Sequence, residues 1–77
     1  MNPQDKILAI IRKVSNREVS PAPDESLFDS GILDSFALPD MVGEIEKEFS
    51  IQVPDSEMNP RKFESIERIE QYIAGRV

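Results

Sequence analysis

A chain of 77 residues has room for one hydrophobic core and no second folding unit, so residues 1–77 read as a single domain and a two-domain enzyme is excluded. Hydrophobic residues at 39% suffice for that core, while charged residues at 31% keep the surface ionised. The sequence has no Cys and no His, which removes disulfides, zinc clusters, thiol nucleophiles and imidazole-based triads together, and fifteen acids against nine bases give a net charge of −6 that repels phosphate backbones. Nucleic acid is therefore not expected as a partner.

Asn2 followed by Pro3 is a helix N-cap and first-turn pair, and Asp5 lies where a helix N-terminus favours negative charge. Ile7, Leu8, Ile10, Ile11 and Val14 form an apolar stripe, and Arg12, Lys13 and Arg17 suit the negative end of the helix dipole; a first helix is predicted over about 3–16. No positive leader precedes it. The apolar run ends at Arg12-Lys13, too short for a signal-peptide core or a membrane span, so a cytoplasmic protein is expected. From Glu18 to Asp34 the residues Pro21, Pro23 and Gly31 break regular structure, yet Leu27, Phe28, Ile32 and Leu33 need burial. The expectation is a long loop pinned to the core.

From Ser35 the helical period returns. Leu38, Met41, Val42, Ile45 and Phe49 fall within about 100° of arc, predicting a second amphipathic helix to about Phe49. Pro39 complicates its first turn, because it has no N–H for the Ser35 carbonyl; that turn is either distorted or the regular helix begins near Pro39. Phe49 to Val53 alternates like a strand without a partner and reads as an extended connector. Pro54-Asp55-Ser56-Glu57 offers a brief third helix that Asn59-Pro60 interrupts, and Ser65 caps a last helix with Ile66, Ile69, Tyr72 and Ile73 on one face and Gly75 at its end. The predicted fold is all-α: an antiparallel four-helix bundle with a long first loop and a short third helix.

The acids are unevenly spread. Residues 24–57 hold ten acids and one base, Lys47, for a local charge of −9, whereas residues 1–23 carry +2 and residues 58–77 carry +1. Such a run is either a solvated helix face or a docking surface for basic partners.

The segment Phe28-Asp-Ser-Gly-Ile-Leu-Asp-Ser-Phe36 resembles the phosphopantetheine-bearing carrier proteins of acyl, peptidyl and D-alanyl transfer. Asp34-Ser35-Phe36 matches that family's attachment motif, and the likeness continues through Glu46-Lys-Glu-Phe49, Ile51-Gln-Val-Pro54-Asp55 and Phe63-Glu-Ser-Ile66 to Tyr72-Ile73. The resemblance implies a single carrier-protein domain over 1–77, non-catalytic and acting as a monomer. Its Ser35 hydroxyl would receive 4′-phosphopantetheine from coenzyme A, with Asp34 and Phe36 beside it, and acyl groups would ride on the arm's thiol as thioesters. The implied partners are a phosphopantetheinyl transferase, an adenylate-forming ligase or acyltransferase that loads the arm, and a condensing or transfer enzyme that unloads it. Cargo from fatty acid, polyketide, peptide or D-alanyl pathways is equally compatible.

The position suits that role physically. A modified serine is a phosphodiester anion, and a helix start offers unpaired N–H groups to receive it. With no cysteine in the chain, the reactive sulfur must be imported with the cofactor. The plain alternative is that Ser35 is an ordinary N-cap in an unmodified interaction domain of the same fold.

On a helical wheel Phe36 points away from the core stripe, with Asp40 and Glu44 on the same outer side; Phe36, Asp40, Glu44 and Glu48 are the candidate docking residues. The opposite reading packs Phe36 under the preceding loop. Met41 faces the core, with a secondary role open in lining an acyl pocket. The chain departs from the family pattern at Ala37, where an acid is common, and at Lys47, and Gly43 suggests a packing or contact reason for a glycine inside a helix. The loop acids Asp24, Glu25, Asp29 and Asp34 lack the alternation, glycine and terminal Glu of a calcium loop, and no metal site is expected. Paired carboxylates for glycoside hydrolysis have no cleft to serve in a domain of this size.

Overall fold

A computed structural model describes residues 2–76. The Asn2 side chain accepts the Asp5 N–H at 2.9 Å and launches α1, Pro3–Ser15. Asn16 ends it in the left-handed region, at φ 56°, with its N–H on the Arg12 carbonyl. Asn tolerates that conformation because its short polar side chain bonds locally. Ile7, Ile10 and Ile11 bury one face of the helix, as the stripe requires.

The long loop is tied at several points. Arg12 reaches across to the Val19 carbonyl and the Ser20 hydroxyl, both at 2.9 Å. The Leu27 N–H donates to the Glu64 carbonyl at 2.7 Å, and the Leu27 carbonyl accepts from Leu33 at 2.9 Å. The Leu27 and Leu33 side chains are buried, while Phe28 and Ile32 lean on the core from outside. Gly31 turns the chain at φ 82°, a conformation that strains any residue with a Cβ.

The second helix, α2, runs Leu38–Phe49. It begins beside Pro39, the second of the two starts that the sequence left open, and Pro39 is the reason. The Pro39 ring nitrogen has no hydrogen for the Ser35 carbonyl, so the first bond into the helix is Met41 N–H to the Ala37 carbonyl, at 2.9 Å. Leu38, Met41, Val42 and Ile45 are buried. An added Cβ at Gly43 would meet nothing within 4 Å, so the packing reason expected for that glycine is not there. Ser50, at φ 55°, closes the helix. An extended connector follows, held by Val53 N–H on the Glu46 carboxylate at 2.8 Å.

The four-helix expectation is corrected to three α-helices among the described residues. The third segment is a single 3₁₀ turn, Asp55–Glu57. It stops at Met58, whose backbone leaves the helical region at ψ 79°, and the Asn59 N–H donates to the Glu57 carbonyl at 2.9 Å instead of one residue further back as a 3₁₀ helix requires. The last helix, α3, spans Ile66–Ala74, capped by Ser65, whose hydroxyl accepts the Arg68 N–H at 3.2 Å. Gly75 stands at its end in ordinary right-handed backbone, so glycine's special freedom is not used there. Helix α1 packs against both α2 and α3. Met41, Ile45, Phe63 and Ile69 fill the space between them with no exposure.

Glu57 fastens the 3₁₀ turn to the end of α3. Its carboxylate accepts from the Arg76 guanidinium and from the Tyr72 hydroxyl at 3.0 Å, with Lys62 at 3.7 Å. The Arg76 hydrogen bond, then that of Tyr72, holds the Glu57 carboxyl below the usual carboxylate range. Partial burial, then the bond it donates to Glu57, pushes the Tyr72 phenol up.

Candidate functional site

Asp34, Ser35 and Phe36 form the corner between the long loop and α2. The corner is made by Asp34: its carboxylate accepts the Ala37 N–H at 3.0 Å, and its carbonyl accepts the same N–H at 3.1 Å. A short acid that folds back on the backbone two or three residues on is a turn-maker. Ser35 therefore sits on the turn over 35–37, exposed, rather than at the cap of the helix. The N-cap of α2 is Ala37, which supplies no side-chain bond, so the ordinary N-cap reading of Ser35 is excluded as well.

Phe36 is 87% exposed and does not pack under the loop; it points outward as expected, although it stands on the turn before α2 and not on the helix that the wheel assumed. Asp40 is exposed in the first turn of α2. The other two candidate docking acids are differently placed. Glu44 is half-buried and paired with Lys13 of α1 at 3.0 Å. Glu48 lines a surface groove shared with Lys6, Lys13 and Lys47. The uncompensated acids of this face are thus gathered at the Ser35 end, and the far end is partly neutralised by lysines. Met41 is wholly buried in the core, the packing position that its helical spacing indicated.

Beside Ser35 lies an open groove of about 320 Å³ between the C-terminal end of α1 and the corner. Asp34 and Phe36, the residues on either side of Ser35, line it together with Ile32, Ala37 and Asp40, and Val14 and Ser15 of α1 form its far wall. Val14 and Ser15 carried no signal in the sequence beyond continuing the first helix, since which loop returns over the end of a helix is a tertiary matter.

The corner fits a serine-linked phosphodiester. The hydroxyl is on an exposed turn, and the N–H groups of Leu38 and Asp40 at the start of α2 have no helical partner, as at every helix N-terminus. Among the described residues no group of His, Cys, Asp or Glu is arranged to hold a metal ion, and no helix is long and apolar enough to cross a membrane.

Comparison with known proteins agrees. The family model described as "Phosphopantetheine attachment site" matches residues 5–73. The D-alanyl carrier protein of Streptococcus suis is 36% identical over 69 residues, covering 90% of this chain and 87% of that protein. Its counterpart in Streptococcus uberis is 33% identical with the same coverage, and that of Streptococcus pyogenes serotype M5 is 31% identical over 71 residues, covering 92% and 90%. An exposed serine corner and a match along nearly the whole chain lead to one conclusion: the chain belongs to the phosphopantetheine-attachment family of carrier proteins, and 4′-phosphopantetheine is its covalent cofactor.

Proposed function

We propose that this single domain is a non-catalytic aminoacyl carrier whose arm is fastened at Ser35. The observation that carries the reading is the exposed Ser35 on a turn shaped by Asp34, at the start of α2, within the segment where the motif and the family match coincide. Attachment forms an O–P bond at Ser35 and breaks the pyrophosphate bond of coenzyme A; the hydroxyl proton is released as adenosine 3′,5′-bisphosphate leaves. The chain supplies the hydroxyl, its position and a recognition surface; the arm supplies the thiol that the sequence lacks. D-alanine is the proposed cargo, because the relatives that match over nine-tenths of the chain are D-alanyl carriers.

Partners are proposed to be a phosphopantetheinyl transferase, a ligase that activates the amino acid as an adenylate, and an enzyme that removes the aminoacyl group. Phe36 is the apolar anchor for them and Asp40 the steering charge, with Glu44 and Glu48 contributing less because lysines face them. Intact-mass measurement tests the reading. Coenzyme A and a transferase raise the mass by one arm in the native protein and leave Ser35→Ala unchanged, and a ligase panel then loads D-alanine in preference to fatty acids. No mass gain with several transferases refutes attachment at Ser35.

A further inference from the structure

Acids recur at every fourth residue of α2, at Asp40, Glu44 and Glu48, and that spacing stacks them along one side of the helix as a row leading away from Ser35. The folded chain interrupts the row at its middle. Lys13, from the last turn of α1, brings its Nζ to 3.0 Å from Glu44 Oε2. The Glu44 side chain is 27% exposed and that of Lys13 68%, so the carboxylate lies inside, the ammonium outside, and an approaching partner meets the cation first. Lys13 also borders the shallow depression of about 260 Å³ that Asp40 lines. Farther along, Glu48 shares its groove with Lys6 and Lys47. The Lys13–Glu44 pair adds little to the fold: Ile7, Ile10 and Ile11 of α1 and Met41, Val42 and Ile45 of α2 already bury the faces of the two helices, and exposed ion pairs contribute little to stability. Its effect on the outward field is larger. Opposite charges 3.0 Å apart cancel at distances well beyond their separation, and what remains is screened within about 10 Å at 0.1 M salt.

We infer that Lys13 is a selectivity residue for partner enzymes: by holding Glu44 it cuts the acidic row back to its Ser35 end, so that the chain admits partners with a short cationic patch and turns away those with an extended one. The inference rests on this face of α2 being the docking surface for the enzymes that handle the arm. The partner that fits has an apolar socket for Phe36, a cation opposite Asp34 and Asp40, which are exposed, and no cation opposite Lys13, where like charges repel. A partner with an unbroken line of lysines or arginines brings one of them against the Lys13 ammonium instead of a carboxylate. Selection between the two partners thus comes from one repulsive contact set beside the attractive ones. Lys13 acts through Glu44 and touches neither the arm nor its serine.

The test follows arm attachment to the full chain by intact mass, as kcat/KM, with two phosphopantetheinyl transferases, one with a strongly cationic docking face and one with a near-neutral face. Lys13→Gln raises kcat/KM about fivefold with the cationic transferase at low salt, the worth of one unit-charge contact at about 4 Å in water, and less than about twofold with the neutral one. The gain disappears in about 1 M salt, where the screening length is about 3 Å. It also disappears in a Glu44→Gln background, because there no carboxylate is released. Lys62→Gln makes the same change of net charge at the Glu57 clasp and gives no such gain, which separates local masking from total charge. An equal gain in the Glu44→Gln background, from Lys62→Gln or with both transferases overturns the inference. So does no gain from Lys13→Gln while Phe36→Ala still slows attachment; no effect of either variant overturns the docking face as well, with attachment at Ser35 left intact. No mass gain in any of the proteins overturns the attachment reading and the inference together.

Discussion

Leu27→Ala probes the loop that carries Ser35. Leu27 is fully buried, and its backbone joins the loop both to Glu64 and to Leu33, two residues before Ser35. Its side chain is therefore the apolar pin of a segment with no helix of its own. Truncating a fully buried Leu to Ala costs about 3 kcal/mol in transfer energy and cavity. A domain of 77 residues is stable by about 4–12 kcal/mol in all, so the variant loses a quarter or more of its stability. With a urea slope of about 1 kcal/mol per molar, the midpoint falls by about 3 M at unchanged slope. The melting temperature drops by about 12–24 °C. Equilibrium urea unfolding followed by circular dichroism measures the first, and calorimetry the second. A loss under about 1 kcal/mol refutes the reasoning, since it means that the loop is a tethered appendage and not part of the core.

Three further outcomes follow from particular residues. Phe36→Ala leaves stability within about 0.5 kcal/mol, as expected for an exposed side chain, but slows loading by the ligase at least several-fold in single-turnover assays; an unchanged rate removes Phe36 from the docking surface. Gly43→Ala raises stability by about 0.5–1 kcal/mol, because its Cβ meets nothing and alanine restrains the unfolded chain, and a fall in the urea midpoint contradicts the open space at that position. The Glu57 cluster predicts a pH dependence. The folded carboxyl stays ionised below its ordinary value of 4.5, so its contribution is complete above 4.5 and is lost as the pH falls through the lowered folded value. The urea midpoints of the native protein and Glu57→Gln differ near pH 7 and converge below pH 4.5, and a gap that persists into strong acid counts against the ion cluster.

Much of the molecule follows from local chemistry that is visible residue by residue. Asn2 and Ser65 cap their helices because a side-chain oxygen next to an apolar stripe has the same N–H groups to satisfy in any surroundings. Pro39 blocks the first turn of α2 by lacking a hydrogen, an effect of one residue's own chemistry. The candidate corner was legible on the same terms, because Asp34-Ser35-Phe36 is contiguous. What the amino-acid order did not contain is which distant groups meet. The pairing of Glu44 with Lys13, which divides the acidic face into a free end and a neutralised one, brings together residues from two helices. The reduction of the third helix to one 3₁₀ turn goes with the clasp of Glu57 by Tyr72 and Arg76. The groove that sets Val14 and Ser15 beside the serine corner exists only once the loop folds back over the end of α1. Caps and turns are settled within a few residues by hydrogen-bond satisfaction, whereas a groove or a cross-helix ion pair depends on how elements far apart in the chain share one core.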